Sequence, residues 1–290
     1  MSHEVIWIGR ASRPGRARQL YVRVRTDGRA PTPDDVATAI DDPFAAATPA
    51  LSGEAPGDAA ELAASLPDRP EVLRAPIRDL TLRAPLRPGK IICVGRNYAA
   101  HAKEMGNEVP TEPLLFSKPA TALLPSGAPL SLPRGYERID MEAELVVVVG
   151  RTGHSFDRER ALEHVFGYVL GNDVSNRDLQ KLDKQWTRAK GFDGFAPLGS
   201  FIRVHGGAAP PADARIQGFV DDALRQDAPL SDMIFDIPYV LAYVAACMTL
   251  EPGDLIFTGT PEGVSALAPG CVTAVGMTGF ELGRLATPVR

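Results

Sequence analysis

Cysteine, basic clusters and long apolar runs are all scarce in this sequence of 290 residues. The three cysteines, Cys93, Cys247 and Cys271, lie too far apart for a disulfide framework or a C-x-x-C metal site. Lysine and arginine number 31 against 36 aspartates and glutamates, with no basic run, so a nucleic-acid partner is not expected. Because no apolar run has the length needed to span a bilayer, we expect a cytoplasmic protein without membrane contact.

Glycine and proline are, in contrast, abundant, with 27 and 26 residues respectively. This turn-rich composition favours many short strands over a helical bundle, and the hydrophobic content of 44% is ordinary for a globular protein. The sequence therefore predicts an α+β fold that is mainly β. The chain is long enough for one large domain or for two smaller ones.

A domain boundary is predicted between residues 75 and 90. Residues 85–89 contain two prolines and a glycine, which is typical of a linker. Residues 29–70 are rich in alanine and proline, and they predict a loosely structured segment around a short helix at 34–40. We therefore expect a small N-terminal domain over residues 1–80, which includes this Pro/Ala-rich segment, and a larger domain over residues 90–290.

Apolar and β-branched runs predict strands at residues 5–8, 20–25, 90–95, 145–149 and 166–170. The valine run within 145–149 is typical of a strand that is covered on both faces. Helices are predicted at residues 97–105 and 157–165. Ser155 or Asp157 is placed to cap the first turn of the second helix.

Three acidic residues are candidates for a metal site. Glu142 and Glu144 directly precede the valine run, and residues two apart on a strand point to the same face. Such close like charges favour a cation between them, although two solvated glutamates on an edge strand are the more common explanation. Asp173 ends the next predicted strand and supplies a third carboxylate. Oxygen ligands of this kind select Mg²⁺ or Mn²⁺, with Ca²⁺ as a further option, and disfavour zinc.

His101 and Glu104 lie three residues apart on the first predicted helix, so they share one face. A carboxylate beside an imidazole is the arrangement of a general base that takes a proton from water. The same pattern also fits an exposed His–Glu pair on a surface helix. The other histidines are assigned structural or solvated positions: His3, His154, His164 and His205.

Two glycine-rich loops carry further candidates. Lys190 precedes Gly191 in a loop suited to approach an anionic oxygen, although most lysines in such loops are simply solvated. Thr260 follows a predicted strand, and its hydroxyl and the nearby amides are suited to hold a carboxylate. An ordinary strand-terminating loop has the same pattern. No Walker or dinucleotide spacing occurs in the second loop, so nucleotide binding is not supported.

Together these segments resemble the fumarylacetoacetate hydrolase family, in the family's order, from about Lys90 to Thr260. The matching blocks are Val94–Tyr98 with His101 and Glu104, Leu115–Pro119, Glu142–Glu144, Gly171–Ser175 with Arg177 and Asp178, Lys190, Ser231–Phe235 and Thr258–Val264. The resemblance implies a β-sandwich roll like the C-terminal domain of fumarylacetoacetase, preceded by a small N-terminal domain. It also implies that residues 90–290 form a metal-dependent catalytic domain and that the protein is a homodimer.

The resemblance implies a role for each candidate residue. The three carboxylates correspond to the divalent-metal ligands of the family. His101 and Glu104 correspond to the pair that activates water, and Lys190 corresponds to the lysine that stabilises an oxyanion. The other matching positions correspond to residues that contact the substrate: Asn97, Tyr98, Arg177, Gln180 and Thr260.

Family substrates are 2,4-dioxo acids, whose 1-carboxylate and 2-oxo groups chelate one metal ion. The resemblance therefore implies a Mg²⁺-dependent hydrolase that cleaves the C–C bond of an acylpyruvate, such as fumarylpyruvate, and releases pyruvate. The same site also fits isomerisation of 2-hydroxydienoates, and decarboxylation or tautomerisation of oxaloacetate. A non-catalytic metal- or ligand-binding protein is a further alternative, but such a protein would not need His101.

Overall fold

The computed structural model describes residues 4–47 and 59–290. Within these ranges the strands are β1 (Val5–Ser12), β2 (Leu20–Thr26), β3 (Val36–Ile40), β4 (Arg74–Pro76), β5 (Thr81–Arg83), β6 (Ile91–Gly95), β7 (Leu114–Lys118), β8 (Leu123–Pro125), β9 (Ile139–Met141), β10 (Ala143–Val149), β11 (Val165–Asn172), β12 (Ser175–Asn176), β13 (Ala196–Leu198), β14 (Phe201–Val204), β15 (Arg215–Val220), β16 (Ala223–Pro229), β17 (Leu255–Phe257), β18 (Ser265–Ala266), β19 (Val272–Thr278) and β20 (Arg284–Pro288). The α-helices are α1 (Pro43–Ala47), α2 (Ala59–Ser65), α3 (Ala99–Glu104), α4 (Arg177–Leu182), α5 (Thr187–Lys190) and α6 (Ile237–Cys247). Short 3₁₀ helices lie at Ile77–Asp79, Ala120–Ala122, Arg158–His164 and Leu230–Asp232.

The strands form three sheets. The largest has 13 strands and runs β4-β3-β2-β1-β14-β11-β10-β17-β6-β7, with β5, β8 and β13 attached beside this path. A four-stranded sheet has the order β16-β15-β19-β20, and a small three-stranded sheet has the order β12-β9-β18. The expectation of an α+β, mainly β fold like the C-terminal domain of fumarylacetoacetase is confirmed.

The strand β10 lies at the centre of the core. The four-stranded sheet packs against it through β15 and β19. Val147 faces a core cluster that includes Ile216 of β15, whereas Val146 and Val148 belong to a second cluster on the other side of the large sheet. Because both faces are covered, the valine run has no polar positions, as the sequence predicted.

The pairing of β10 with its neighbours positions the candidate acidic residues. The strands β10 and β11 are antiparallel, with Ala143 opposite Asn172. The next pair beyond this rung is Glu142 and Asp173, and the Asp173 amide donates to the Glu142 carbonyl at 2.9 Å. On the other side of β10, the antiparallel strand β17 is followed by residues 258–260, which lie beside the start of β10. The parallel strand β6 ends next to β17, so the segment that leads into α3 reaches the same place.

The prediction of a short helix at residues 34–40 is wrong. Residues Val36–Ile40 form β3, which pairs with β2 on one side and with β4 on the other. This segment alternates small and β-branched residues and lies between two strands. Pairing with these strands, which are distant in sequence, stabilises the extended conformation against the local turn signals. Residues 48–58 of the predicted loosely structured segment lie outside the described residues.

The second predicted helix, at residues 157–165, is a 3₁₀ helix over Arg158–His164 rather than an α-helix. Neither predicted cap forms, because Asp157 makes no side-chain cap hydrogen bond and Ser155 adopts a left-handed backbone with φ 52. The other predicted helix is confirmed as α3, and the five predicted strands are confirmed as β1, β2, β6, β10 and β11. None of the helices within residues 4–47 and 59–290 is long and apolar enough to cross a membrane.

The N-terminal strands are continuous with the large sheet, because β1 pairs antiparallel with β14. The Trp7 side chain on β1 is fully buried in the main core cluster. The division into domains at residues 1–80 and 90–290 stays a prediction.

Candidate active site

A cleft of about 260 Å³ lies where the ends of β6, β10, β11 and β17 meet. Most of the residues that the sequence singles out line this cleft. The lining residues are Val94, Gly95, Arg96, His101, Met105, Asn107, Glu142, Glu144, Asp173, Arg177, Gln180, Lys181, Trp186, Lys190 and Thr260.

Three carboxylates form the floor of the cleft. Glu142, Glu144 and Asp173 each offer an oxygen atom within 4.8 Å of the other two. Glu142 and Glu144 are only 4% and 2% exposed, and β10 is a central strand, so the alternative of two solvated glutamates on an edge strand is excluded. We call this group the carboxylate triad.

Buried cations compensate two members of the carboxylate triad. Lys190 Nζ donates to Glu142 Oε2 at 2.7 Å and to Asp173 Oδ2 at 2.6 Å. Arg177 Nη2 donates to Glu142 Oε1 at 2.6 Å. Burial alone would raise the pKa of Glu142, but the charges of Lys190 and Arg177 outweigh it and hold that pKa well below its usual range.

Glu144 has no such compensation. Its Oε2 accepts a hydrogen bond from the Gly259 amide at 2.8 Å, and in the described part of the chain no basic side chain lies within 4.0 Å of it. Burial, and then the charges of Asp173 and Glu142, raise the pKa of Glu144 well above its ordinary value. The cluster therefore has an excess of negative charge that a bound cation would neutralise.

The geometry of the carboxylate triad fits a hard divalent ion. The Lys118 ammonium lies 2.7 Å from Asp173 Oδ1. It donates its hydrogens to three carbonyls, those of Val174, Lys190 and Phe195. Within the described residues, Asp173 Oδ1 therefore accepts no hydrogen bond. Oxygens that share an octahedral ion at about 2.1 Å are about 3 to 4 Å apart. The oxygens of the triad lie within 4.8 Å of one another, which is close to that spacing. A group of three carboxylate oxygens suits Mg²⁺ or Mn²⁺.

His101 and Glu104 lie beside the carboxylate triad. His101 Nδ1 is 3.3 Å from Glu104 Oε2, and the other oxygen of Glu104 accepts from the Gly263 amide at 3.0 Å. His101 Nε2 lies 4.0 Å from Glu142 Oε1. Because His101 is only 5% exposed, the alternative of an exposed surface pair is excluded. The imidazole is held between Glu104 and the floor of the cleft.

Lys190 was expected in a flexible loop, but it is the last residue of α5 and its side chain is buried. Its ammonium lies 5.0 Å from the centroid of the Phe116 ring, in addition to its two carboxylate contacts. Burial lowers the pKa of Lys190, but the charges of Asp173 and Glu142 outweigh it and raise this pKa above its ordinary value. Lys190 is therefore a cation in the cleft.

Arg177, Gln180 and Thr260 also line the cleft, and each has an internal hydrogen bond. Arg177 Nη1 donates to Gln180 Oε1 at 2.7 Å, and its Nε donates to Asp140 Oδ2 at 2.8 Å. The Thr260 hydroxyl donates to the Ala143 carbonyl at 2.9 Å. In this structure Arg177 orients its neighbours in the cleft, and its contact with substrate stays a prediction.

Asn97 and Tyr98 do not line the cleft. Asn97 is fully buried and makes three hydrogen bonds, two to the backbone of Phe235 and one to the Thr258 carbonyl. Tyr98 is 1% exposed, and burial raises the pKa of its hydroxyl well above its ordinary value. Asn97 therefore connects the turn after β6 to the segments that precede α6 and follow β17, and the geometry gives the expected substrate contacts of Asn97 and Tyr98 no support.

We expect the variant Asn97→Ala to lower the free energy of unfolding by about 2 to 4 kcal/mol, because it leaves buried backbone groups of Phe235 and Thr258 without partners. Urea unfolding monitored by circular dichroism measures this loss. The matched control is Asn107→Ala, which removes one side-chain hydrogen bond, to the Met105 carbonyl. An equal loss in both variants would contradict the structural role of Asn97.

Two further buried residues, Lys118 and Asp140, contact the side chains of the cleft, and neither was predicted from the sequence as a site residue. Lys118 is 2% exposed and contacts both Asp173 and the backbone around Lys190. Asp140 binds Arg177 and continues the two-residue spacing of Glu142 and Glu144, so its position was a signal that the sequence already contained. A lone lysine that ends a strand carries no such signal.

A larger groove of about 600 Å³ lies elsewhere on the surface. It is lined mainly by residues 209–212 and 230–239 and contains none of the carboxylate triad, the His101–Glu104 pair or Lys190. We place the candidate active site in the smaller cleft because the titratable groups converge there.

Comparison with known proteins agrees with this fold. Residues 90–290 match the family described as Fumarylacetoacetate (FAA) hydrolase C-terminal. The structure of a 2-hydroxyhepta-2,4-diene-1,7-dioate isomerase from Mycobacterium marinum superposes with a TM-score of 0.78 and 33% identity, over 98% of this chain and 98% of that chain. A fumarylpyruvate hydrolase from Pseudomonas aeruginosa, solved in complex with Mn²⁺ and pyruvate, has a TM-score of 0.64 and 36% identity, over 70% of this chain and 89% of that chain.

A mitochondrial oxaloacetate decarboxylase from Dictyostelium discoideum is 41% identical over 204 residues, which are 66% of this chain and 90% of the relative. The fold and the family match define an enzyme class whose members include hydrolases, isomerases and decarboxylases. This chain belongs to the fumarylacetoacetate hydrolase family.

Proposed function

We propose that this protein is a divalent-metal-dependent hydrolase that cleaves the C3–C4 bond of a short 2,4-dioxo acid, such as fumarylpyruvate, and releases pyruvate. The observation that carries the proposal is the His101–Glu104 pair, which borders the carboxylate triad with His101 Nε2 4.0 Å from Glu142 Oε1. Carbon–carbon hydrolysis needs a base for water, and that base must lie beside the group that binds the reacting carbons.

Glu142, Glu144 and Asp173 would hold the ion, with Mg²⁺ or Mn²⁺ as the best fit. When bound, the ion supplies positive charge for the 1-carboxylate and 2-oxo oxygens of the substrate. The neighbouring Mn²⁺-bound fumarylpyruvate hydrolase supports this choice of ion.

Glu104 selects the tautomer of His101. When His101 Nδ1 donates to Glu104 Oε2, Nε2 has a free lone pair that faces the cleft. The Gly263 amide binds the other oxygen of Glu104 and fixes the orientation of the carboxylate. Nε2 then takes a proton from water, and the resulting hydroxide attacks C4 of the substrate.

Lys190 binds the oxygen on C4. Two of its three ammonium hydrogens bind Glu142 and Asp173, which leaves the third for a substrate oxygen. As hydroxide bonds to C4, negative charge develops on that oxygen and the ammonium stabilises it. The electron pair of the C3–C4 bond then passes to C3, which takes the proton that His101 Nε2 removed from water. This step completes pyruvate, restores neutral His101 and releases the acyl half as a carboxylic acid.

A second candidate function is isomerisation, decarboxylation or tautomerisation of a related 2-oxo acid. The alignment over 98% of both chains with a dioate isomerase favours it, because the hydrolase structure covers only 70% of this chain. These reactions use the carboxylate triad and Lys190 but do not require water to attack C4. A non-catalytic binding protein is a weaker candidate, since it gives no reason for the pairing of His101 with Glu104.

Pyruvate release from three substrates distinguishes these functions. Purified protein with Mg²⁺ or Mn²⁺ is incubated with fumarylpyruvate, acetylpyruvate or oxaloacetate, and pyruvate is measured with lactate dehydrogenase. We expect pyruvate from a dioxo acid, together with loss of release in excess chelator and recovery when the ion is restored. Metal without protein is the control for spontaneous decay of oxaloacetate. Pyruvate from oxaloacetate alone would replace the proposal with a decarboxylase, and no release from any substrate would favour the isomerase.

The homodimer that the resemblance implies stays a prediction, which sedimentation equilibrium of the purified protein tests. A location in the cytoplasm also stays a prediction.

A further inference from the structure

Arg96 lines the candidate active site without an acidic partner. It follows directly after β6 and is half-buried, and in residues 4–47 and 59–290 it has no ion pair with a carboxylate within 4.0 Å. By contrast, the other cations at the floor of the cleft, Lys190 and Arg177, are each bound to two carboxylates. A half-buried guanidinium in a cleft has its five donors available for an anionic ligand.

The backbone at Arg96 is strained. Its φ of 58 lies in the left-handed region, which costs an L-residue with a side chain roughly 1 kcal/mol and is the usual place for glycine or asparagine. Arg96 lies at the rim of the cleft, where the chain turns from β6 towards α3. Strained residues of this kind cluster at ligand-binding sites, because the surrounding fold holds the side chain in a required direction.

Trp186 lies close to both Arg96 and Lys190 in the cleft. The guanidinium carbon of Arg96 lies 5.6 Å from the centroid of the Trp186 ring, and Lys190 Nζ lies 6.0 Å from the same centroid. The ring fits there because position 95 is glycine, since a Cβ on Gly95 would lie 2.7 Å from Trp186 Cζ3. Phe116 packs edge-on against Trp186 at 5.2 Å. Two aromatic rings therefore lie next to Lys190 at the triad and next to Arg96, which has no carboxylate partner among the described residues.

We propose that Arg96 is a specificity-determining residue: its guanidinium binds the second carboxylate, at the far end of a dicarboxylic substrate such as fumarylpyruvate. One end, with the 1-carboxylate and 2-oxo groups, lies at the carboxylate triad and Lys190. The middle segment lies along Trp186, and the terminal carboxylate pairs with the Arg96 guanidinium. The inference rests on the proposed function in taking this ligand as the substrate, but its binding test is independent of turnover.

Two seven-carbon acids isolate the contribution of the terminal carboxylate. 2-Oxoheptanedioate and 2-oxoheptanoate share the 1-carboxylate and 2-oxo groups and differ only at the far end, and neither has a 4-oxo group that hydrolysis would require. Isothermal titration calorimetry of the Mn²⁺-loaded protein gives the Kd of each. We expect the parent protein to bind the dicarboxylate about 10- to 100-fold more tightly, as one charge-assisted pair provides.

The variant Arg96→Gln removes this charge. We expect it to abolish the preference and to leave the Kd of 2-oxoheptanoate within about twofold of the parent value. Arg96→Lys should keep part of the preference. Arg96→Asn is a second test if the glutamine variant does not fold, because asparagine tolerates the left-handed backbone. Lys184→Gln is the matched control, since Lys184 is exposed and does not line the cleft.

The outcomes separate this inference from the proposed function. Equal binding of the two acids by the parent protein, or a preference that persists in Arg96→Gln and Arg96→Asn, would overturn the inference even if the protein hydrolyses dioxo acids. A preference that depends on Arg96, combined with no pyruvate release from any dioxo acid, supports the inference and rejects the hydrolase. If Lys184→Gln also loses the preference for the dicarboxylate, that preference depends on the overall charge of the protein and not on Arg96. This outcome would also overturn the inference.

Discussion

The variant Glu144→Gln should lose metal binding without losing stability. Glu144 is buried beside two other carboxylates. Among residues 4–47 and 59–290, its hydrogen-bond partner is the Gly259 amide, and a glutamine oxygen preserves that bond. Burial and the charges of Asp173 and Glu142 already disfavour the charged form of Glu144, so a neutral glutamine should not destabilise the metal-free protein. The same change deletes one of the three proposed ligands, so we expect Mn²⁺ affinity to fall by about 100-fold or more and kcat/KM by about 10³-fold.

Asp173→Asn makes the same change in charge but should have the opposite effect on stability. Asp173 contacts Lys190 Nζ at 2.6 Å and Lys118 Nζ at 2.7 Å. Removing its charge leaves these two buried ammonium groups with less compensation, which should lower the free energy of unfolding by about 3 kcal/mol. Mn²⁺ affinity should fall in this variant as well.

Two measurements test this pair of predictions. Titration calorimetry with Mn²⁺ gives the affinity, and thermal unfolding in excess chelator gives the stability of the metal-free protein. Glu163→Gln, at an exposed position outside the cleft, is the control for loss of a glutamate charge. Metal affinity that is unchanged in both variants would reject the carboxylate triad as the metal site. A decrease in the melting temperature of Glu144→Gln as large as that of Asp173→Asn would contradict the charge argument.

The second large effect is expected when His101 is replaced by glutamine. If His101 takes the proton from water, hydrolysis of a dioxo acid should slow by about 10²- to 10⁴-fold. Glu104→Gln should slow it by a smaller factor, because it weakens the orientation of the imidazole but leaves the base in place. In both variants the Mn²⁺ affinity should stay within about threefold of the parent value, because His101 is 4.0 Å from Glu142 and outside the carboxylate triad.

Decarboxylation of oxaloacetate provides an internal comparison for these variants. It needs the ion and Lys190 but no activated water, so any such activity should be reduced much less than hydrolysis. His154→Gln is the control for loss of an imidazole, because His154 is exposed and does not line the cleft. Hydrolysis that persists at the parent rate in His101→Gln would remove the general base from the mechanism. A large loss of Mn²⁺ affinity would instead indicate that His101 binds the ion.

Charge balance links the proposed base and the proposed metal site, which share one small cleft. Lys190, Lys118 and Arg177 balance much of the carboxylate charge, while Glu144 keeps the excess that favours a cation. A bound ion then stabilises the folded protein through binding to the native state alone.

For residues that are close in the chain, the sequence predicted correctly that their side chains share one face of an element. The two-residue spacing of Glu142 and Glu144 places both on one face of a strand, and the three-residue spacing of His101 and Glu104 places both on one face of a helix. These relations depend only on the geometry of a single element. The preference for a hard ion also followed from residue type, since it depends on oxygen ligands and not on their exact placement.

Contacts between distant parts of the chain were decided by tertiary structure. Asp173 meets Glu142 because of the antiparallel register of β10 and β11, and Lys118 reaches Asp173 because β7 ends beside α5. The strand β3 replaced the predicted helix at residues 34–40 for the same reason, because its partners β2 and β4 are distant in sequence. Local patterns determined which face of an element each side chain occupies and which ligands it offers. The burial of those side chains, and the charges that surround them, came from packing, because the free energy of a buried charge depends on every group that the fold brings near it.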